Sequence, residues 1–286
     1  MSFDDLPHCL KSCFLYLGAL PETKMHEGHK LVRLWISEGF IKPKKGRTLE
    51  EIAQQHLKEL VSQCLVQLVH KDAQVDVGSI VVHNPVHAFV QAEAQEANFF
   101  EIHDNVDVIA PSTVRHLSIQ NHTNKYVPLS KSFPKLRSLI CDFAEKQDNT
   151  QVLAPQNNQT YHTLRYLGVK NCGLKQLPTS ICNLIYLQTF DVQDTDAKNV
   201  AGTPLALLEK ANNLRSLQLE GLSNLHSDAL LVALRKLELL VHLKLKCSKE
   251  ASIPLRIFNI SILCRLQSLE IDGRLEKVQE QESMDR

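Results

Sequence analysis

Cys9 and Cys13 stand four residues apart on one helical face, with His8 beside them and His26 and His29 following. Thiolate and imidazole are the ligands a zinc ion takes, but a structural zinc site needs a second pair at matching spacing, and Cys9-x-x-x-Cys13 supplies one half only. Cys13 also lies on the apolar side of its helix, so a core thiol is expected and no metal is assigned. Nucleophilic catalysis finds no support either. No Ser lies in a G-x-S-x-G turn, and no His and acid organise around a cysteine. The nearest approach to a phosphate cradle is Gly39-Phe-Ile-Lys-Pro-Lys-Lys-Gly46-Arg47-Thr48, whose glycines are seven apart instead of five, with Arg where G-x-x-x-x-G-K-[ST] has Lys. A cradle follows a strand, so that successive N–H groups converge on phosphate oxygens. This stretch follows a helical pattern and contains Pro43, so it reads as a basic loop. No catalytic residue is assigned, and the chain is not read as an enzyme.

Lys42, Lys44, Lys45 and Arg47 could instead contact a nucleic-acid backbone. A recognition helix would have to accompany them, and the best helix of the sequence, 49–63, presents Glu50, Glu51, Gln54, Gln55, Lys58 and Glu59. That face would be repelled by a duplex. Equal numbers of acidic and basic residues, 32 each, also argue against a globally basic binder.

The elements that position these residues change character near residue 104. Before it the periodicity is helical. Leu6, Leu10, Cys13, Phe14 and Leu17 line a first helix stopped by Pro21, and Leu31, Leu34 and Trp35 mark a second that ends at Gly39. Leu49, Ile52, Ala53, His56, Leu57, Leu60, Val61 and Cys64 line a third, with Thr48 and Glu51 placed to form a capping box. The runs 65–69 and 79–83 predict a hairpin, and Asn84-Pro85 predicts a cap and first turn for a helix to about Asn98. Residues 1–103 therefore read as a winged-helix-like domain.

From 104 to 286 the pattern L-x-x-L-x-L recurs, beginning at Val114, Leu136, Leu164, Leu187, Leu214, Leu240 and Leu266. This is the skeleton of about seven leucine-rich repeats, with a long Asn- and Gln-rich loop at 145–160. The fold class is thus an α+β multidomain chain, a helical winged-helix-like domain followed by an α/β leucine-rich-repeat solenoid. Each repeat gives one strand, and Cys172 takes the place where an inward Asn or Cys lies beneath the turn, buried and inert. Residues alternating with the leucines should form a solvent-facing concave sheet suited to binding protein. They include Tyr166, Lys170, Thr189, Asp191, Gln193, Gln218, Glu220, His242, Lys244, Lys246, Glu270 and Asp272. Tyr166 is the aromatic of that set and the natural anchor. The chain shows neither a secretory pattern nor a transmembrane stretch, and its eight cysteines are scattered over apolar positions, so a cytoplasmic protein with reduced thiols is expected.

Leu6-Pro-His-Cys-Leu-Lys-Ser-Cys-Phe-Leu-Tyr-Leu17, Pro21-Glu22 and Leu31-Val-Arg-Leu-Trp-Ile-Ser-Glu-Gly-Phe-Ile41 closely resemble the winged-helix segment of plant intracellular nucleotide-binding, leucine-rich-repeat disease-resistance proteins of the coiled-coil class. Thr48–Ala53, Leu57–Val69 and Gly173–Leu184 continue the similarity. The resemblance implies an innate-immune role in defence, with a host protein, a pathogen effector or other receptor domains as partner. It also implies ADP or ATP held by an upstream nucleotide-binding domain, with His83 in the position of the family's Met-His-Asp histidine. Here Val82 and Asn84 flank that histidine and no P-loop occurs, so His83 is read as a vestigial nucleotide-sensing position. No cofactor is expected unless such a domain is supplied. The chain is accordingly read as a truncated or partial receptor; the alternatives are a DNA-binding winged-helix regulator or a non-functional gene relic.

Overall fold

The computed structural model describes residues 3–21, 25–72, 75–104, 113–122, 133–148, 162–173, 184–193, 208–222, 227–247, 252–253 and 265–275. Its first helix, α1 (His8–Leu15), passes into a 3-10 turn at Tyr16–Ala19, and Leu20 is already extended ahead of Pro21. A two-residue strand β1 (His26–Glu27) leads into α2 (Gly28–Glu38), which ends because Gly39 adopts φ +77° and lets Phe40 N–H reach back to the Trp35 carbonyl at 3.1 Å. In α3 (Leu49–Ser62) the capping box forms as predicted. Glu51 N–H donates to Thr48 Oγ1 at 3.2 Å, and Thr48 N–H donates to Glu51 Oε2 at 2.9 Å. The predicted hairpin is β2 (Gln67–Asp72) and β3 (Val75–Val81), with β1 on the far side of β3. Helix α4 (Asn84–Glu96) closes the domain. Its cap position is His83, without a side-chain cap bond, so Asn84 is the first helical residue and not the cap.

The solenoid is one eight-stranded parallel sheet: β4 (Glu101–Asp104), β5 (His116–His122), β6 (Ser138–Asp148), β7 (Tyr166–Gly173), β8 (Thr189–Gln193), β9 (Ser216–Leu222), β10 (His242–Cys247) and, after the short β11 (Ser252–Ile253), β12 (Ser268–Asp272). Helix α5 (Ser227–Lys236) backs it between β9 and β10, and β11 pairs with β13 (Arg274–Leu275). The central leucine of each repeat falls in one register column, Leu117, Leu139, Leu167, Phe190, Leu217 and Leu243, all but excluded from water. That column, with Leu136, Leu164, Leu187, Leu214 and Leu240 beside it, is the solenoid core. No single repeat could bury it alone. At β12 the column opens, and Leu269 is 39% exposed.

Three details depart from expectation. The sheet starts at Glu101, inside the segment assigned to the first domain, because β4 pairs in parallel with β5 although it carries no L-x-x-L-x-L skeleton. Residues 145–148 continue β6 instead of opening the loop; the remainder of that loop, apart from Asp148's strand, lies outside the described residues. The hydrogen bond beneath the turn where Cys172 was expected to lie buried comes from its neighbour, and the Cys172 side chain itself is outside the described residues. Asn171, at φ +55°, donates Nδ2–H to the Phe143 carbonyl of the preceding repeat at 3.0 Å, which suits an amide better than a thiol.

Candidate functional site

The concave face is not open to solvent over β5–β9. The winged-helix-like domain sits on it, and this corrects the expectation of a free binding surface. Two buried cores meet there: Ile140 and Tyr166, which project from the concave side of the sheet, belong to the helical domain's apolar cluster. Helix α2 packs across β7 and β8. The sheet is shaped to admit it, since Ser138, Gly168, Thr189 and Ser216 are small residues at facing positions.

At one end of the seam the 3-10 turn is capped by the sheet. Ser118 Oγ donates to the Ala19 carbonyl at 2.7 Å, and Gln120 Nε2 donates to the same oxygen at 3.1 Å. Beside it, Tyr16 O–H donates to Ser138 Oγ at 2.6 Å and lies 3.3 Å from Glu38 Oε1. His116 Nδ1 is 3.3 Å from Glu38 Oε2 and 3.1 Å from Ser138 Oγ, while its ring is walled by Tyr16, Phe40 and Phe99. Burial, then the Glu38 charge, pushes the Tyr16 hydroxyl well above its ordinary value, so it stays a neutral donor.

In the middle, Lys30 Nζ pairs with Asp191 Oδ2 at 3.4 Å, and Tyr166 O–H and Gln193 Nε2 donate to the same oxygen at 3.3 and 3.2 Å. Ser37 Oγ lies 3.3 Å from Thr189 Oγ1. At the far end Glu50, on the first turn of α3, receives Arg215 Nη2 at 2.9 Å, with His242 Nε2 at 3.6 Å. Burial alone would raise the Glu50 carboxyl; the nearby His242 ring and the hydrogen-bonded Arg215 guanidinium overcome that and hold it at about 2. Glu50 is therefore not part of an exposed acidic helix face. Lys244 lies 3.0 Å from Glu270 and 3.7 Å from Glu27.

Of the concave residues named from the sequence, Tyr166, Thr189, Asp191 and Gln218 are buried beneath the winged helix. Lys170, Gln193, Glu220, His242, Lys244 and Lys246 are half-buried, and Glu270 and Asp272 are exposed at the sheet's end. Lys246 pairs with Glu220 at 3.7 Å, so the basic row from His242 to Lys246 is matched along its length by acids. Sequence reasoning missed Tyr16, Glu27, Lys30, Glu38 and Arg215, the other half of the seam. The available signal was complementarity: Glu27 and Glu50 on the helical domain face Lys244 and Arg215 on the sheet, and Lys30 faces Asp191.

The remaining candidates lie elsewhere. Cys13 is buried against His56, Sγ to Nδ1 3.9 Å, and burial drives its thiol far up. His26 Nε2 engages the Pro21 carbonyl at 3.0 Å. Among the described residues no three His, Cys, Asp or Glu side chains converge as metal ligands would. Lys44 and Arg47 bridge a tight turn around Gly46, φ +77°, in an exposed loop. His83 is exposed at the start of α4.

Residues 20–90, which carry most of the helical half of this seam, match the family model described as the winged helix domain of disease resistance proteins. This segment is similar to the winged helix of disease-resistance proteins. Over most of its length the chain is similar to plant disease-resistance proteins. A putative disease resistance RPP13-like protein 2 of Arabidopsis thaliana is 28% identical over 95% of this chain and 37% of its own length. The disease resistance protein RGA5 of Oryza sativa subsp. japonica is 28% identical over 77% of this chain and 22% of its own. The ToMV resistance protein Tm-2(2) of Solanum lycopersicum is 29% identical over 76% and 28%. The chain thus spans well under half the length of each of these relatives. A leucine-rich-repeat protein of Leptospira interrogans overlaps 65% of this chain and 59% of that one at 16% identity and a TM-score of 0.37. The solenoid assignment rests on the strand register, not on that overlap. Among the described residues no helix is long and apolar enough to cross a membrane.

Proposed function

We propose that this chain is a non-enzymatic protein-interaction module of a plant innate-immune receptor, acting in the cytoplasm in defence against pathogens, whose repeat sheet binds protein through its concave face. The observation that carries this reading is that the concave face already holds a folded protein surface. The winged helix fills β5–β9 with buried hydrogen bonds and ion pairs, while Glu270 and Asp272 at the end of the sheet stay exposed. A mixed polar and charged seam of this kind contributes specificity and register more than raw affinity. Similarity to disease-resistance proteins supplies the defence context. A host or pathogen protein is the proposed partner, engaging the exposed end of the face or replacing part of the seam. We further propose that the chain by itself holds no adenine nucleotide, His83 being an exposed helix-start residue.

Cross-linking mass spectrometry on the full chain expressed in challenged plant tissue tests this. Cross-links to one recurrent partner should map to the β10–β12 end of the concave sheet and be lost in Glu270→Lys/Asp272→Lys. Cross-links that map only to the convex side, or that survive the charge reversal, would sink the concave-face assignment.

A further inference from the structure

The seam makes no use of the basic loop 42–47, which joins α2 to α3. Its residues are exposed from end to end, and Lys42, Lys44 and Lys45 have no acidic partner among the described residues. A backbone hydrogen bond from Arg47 N–H to the Lys44 carbonyl, at 3.2 Å, closes the turn, with Gly46 at φ +77° as its corner. The loop delivers its charge to a hydroxyl. Thr48, also exposed, follows Arg47 by one residue, Lys45 by three and Lys44 by four, and no other Ser or Thr of the sequence follows three cations so closely. Thr48 Oγ1 accepts the Glu51 N–H at 3.2 Å, a bond that occupies a lone pair and not the hydroxyl proton.

We propose that Thr48 is a phosphorylation site, the acceptor for a protein kinase that selects basic residues on the N-terminal side of its target. Kinases tell substrates apart by charge pattern, and unpaired cations upstream of the hydroxyl can meet carboxylates lining the kinase's groove. Entering that groove requires an extended chain. Thr48 is already extended, at φ −75° and ψ 161°. The turn before it opens with loss of the Arg47–Lys44 bond and of the Arg47 Nη2 bond to the Glu51 carbonyl. Magnesium-bound ATP is the phosphoryl donor. Thr48 Oγ1 attacks the γ-phosphorus, and the bond from that phosphorus to the β–γ bridging oxygen breaks. ADP leaves with the electron pair, and the hydroxyl proton passes to the kinase's catalytic carboxylate. The product sets about −1.5 to −2 charges beside Lys44 and Arg47, where charge-assisted hydrogen bonds order the loop. Those two cations otherwise face His56, a buried ring that also has Glu59 nearby and Cys13 Sγ at 3.9 Å.

The full chain is incubated with magnesium ATP and the catalytic subunit of cyclic-AMP-dependent protein kinase, which has this basic preference, and mass spectrometry locates the phosphate. Thr48 should be filled, Thr48→Ser should remain an acceptor, and Thr48→Val should not be labelled there. Lys44→Ala/Lys45→Ala, exposed changes that spare the fold, should lower kcat/KM at Thr48 at least about tenfold, the factor of one charge-assisted hydrogen bond. In the phosphorylated chain the titration midpoint of His56, followed by NMR, should rise by about half a pH unit, the effect of a unit charge acting through solvent. Chain recovered from plant tissue should carry phosphate at Thr48. Phosphate on other hydroxyls in preference to Thr48, a rate indifferent to the two lysines, or recovered chain bare at Thr48 would overturn the assignment. An unmoved His56 midpoint would overturn the pairing of the phosphate with Lys44 and Arg47.

Discussion

Glu50 keeps only 8% of its side chain in water, a setting that would favour the neutral acid had Arg215 not been placed 2.9 Å away. Removing the cation strands the charge, whereas removing both partners does not. Arg215→Ala is expected to destabilise the chain by about 2–3 kcal/mol, below the roughly 3–5 kcal/mol of a fully buried pair because Arg215 is itself 29% exposed. Adding Glu50→Gln should recover part of that loss, and urea unfolding of the four-member cycle measures the coupling. Purely additive losses would mean that the pair contributes nothing. The same carboxyl has a folded value of about 2, below its ordinary 4.5. A depressed acid stabilises the fold above its unfolded value, so Glu50's contribution is full above pH 4.5 and disappears as pH falls toward 2. His26 acts in a different window. Burial lowers it from 6.5 to about 4, so the fold favours the neutral ring. Its contribution is complete above pH 6.5 and is lost as pH falls through 4. Thermal unfolding should therefore show the midpoint falling between pH 6.5 and 4 before Glu50 is protonated, with His26→Gln making that first limb shallower; His29, His56 and His103, which burial also lowers, supply the rest. A midpoint unchanged between pH 6.5 and 4 in the unaltered chain would refute the His26 assignment.

Among the elements, β7 carries the tightest constraint of the seam. A Cβ at Gly168 would stand 2.8 Å from Tyr166 Cε1 and 2.9 Å from its hydroxyl oxygen, so the glycine makes room for the ring two residues earlier on the same face. Gly168→Ala should displace that ring from Asp191, cost about 1–3 kcal/mol by overpacking, and raise hydrogen exchange in α2 and β8. Exchange confined to β7 itself would show that the ring does not carry the seam. Thr48→Ala, by contrast, removes one cap bond and should cost about 1 kcal/mol, with effects limited to α3. These two positions also mark how legible the chain was. The capping box, the Gly39 stop and the leucine columns could be read directly, because each is a local rule that its own residues satisfy. β4 was illegible since Glu101-Ile-His-Asp104 has no repeat skeleton and becomes a strand by pairing with β5. The face alternating with the leucines was expected to be open, and over β5–β9 it is covered. Ser118, Ser138, Thr189 and Ser216 look like a polar solvated surface in sequence, whereas their hydroxyl positions lie under a second domain. Periodicity says which way a side chain points and nothing of what stands opposite.

For the molecule as a whole, resemblance and residues make different demands where nucleotide is concerned. The resemblance leads one to expect ADP or ATP in the disease-resistance class, and it is the resemblance alone that assigns His83 the position approaching the phosphates. That histidine is exposed at the start of α4 and has no side-chain cap bond, so it is free to make one contact. One charge-assisted hydrogen bond contributes about 1.5–3 kcal/mol. Micromolar affinity needs about 8 kcal/mol, and a Gly-rich backbone cradle normally supplies much of it through several converging N–H groups. The chain's nearest imitation of that cradle, Gly39 to Thr48, is divided between two jobs: Gly39 terminates α2, and Gly46 turns the Lys44–Arg47 bridge. Its N–H groups therefore do not belong to one loop between a strand and a helix. The chain should bind ADP and ATP no more tightly than millimolar, with or without magnesium, and should hydrolyse neither. Isothermal titration is the direct check. A low-micromolar dissociation constant lost in His83→Ala would show that the winged helix brings a nucleotide site of its own, built without a P-loop.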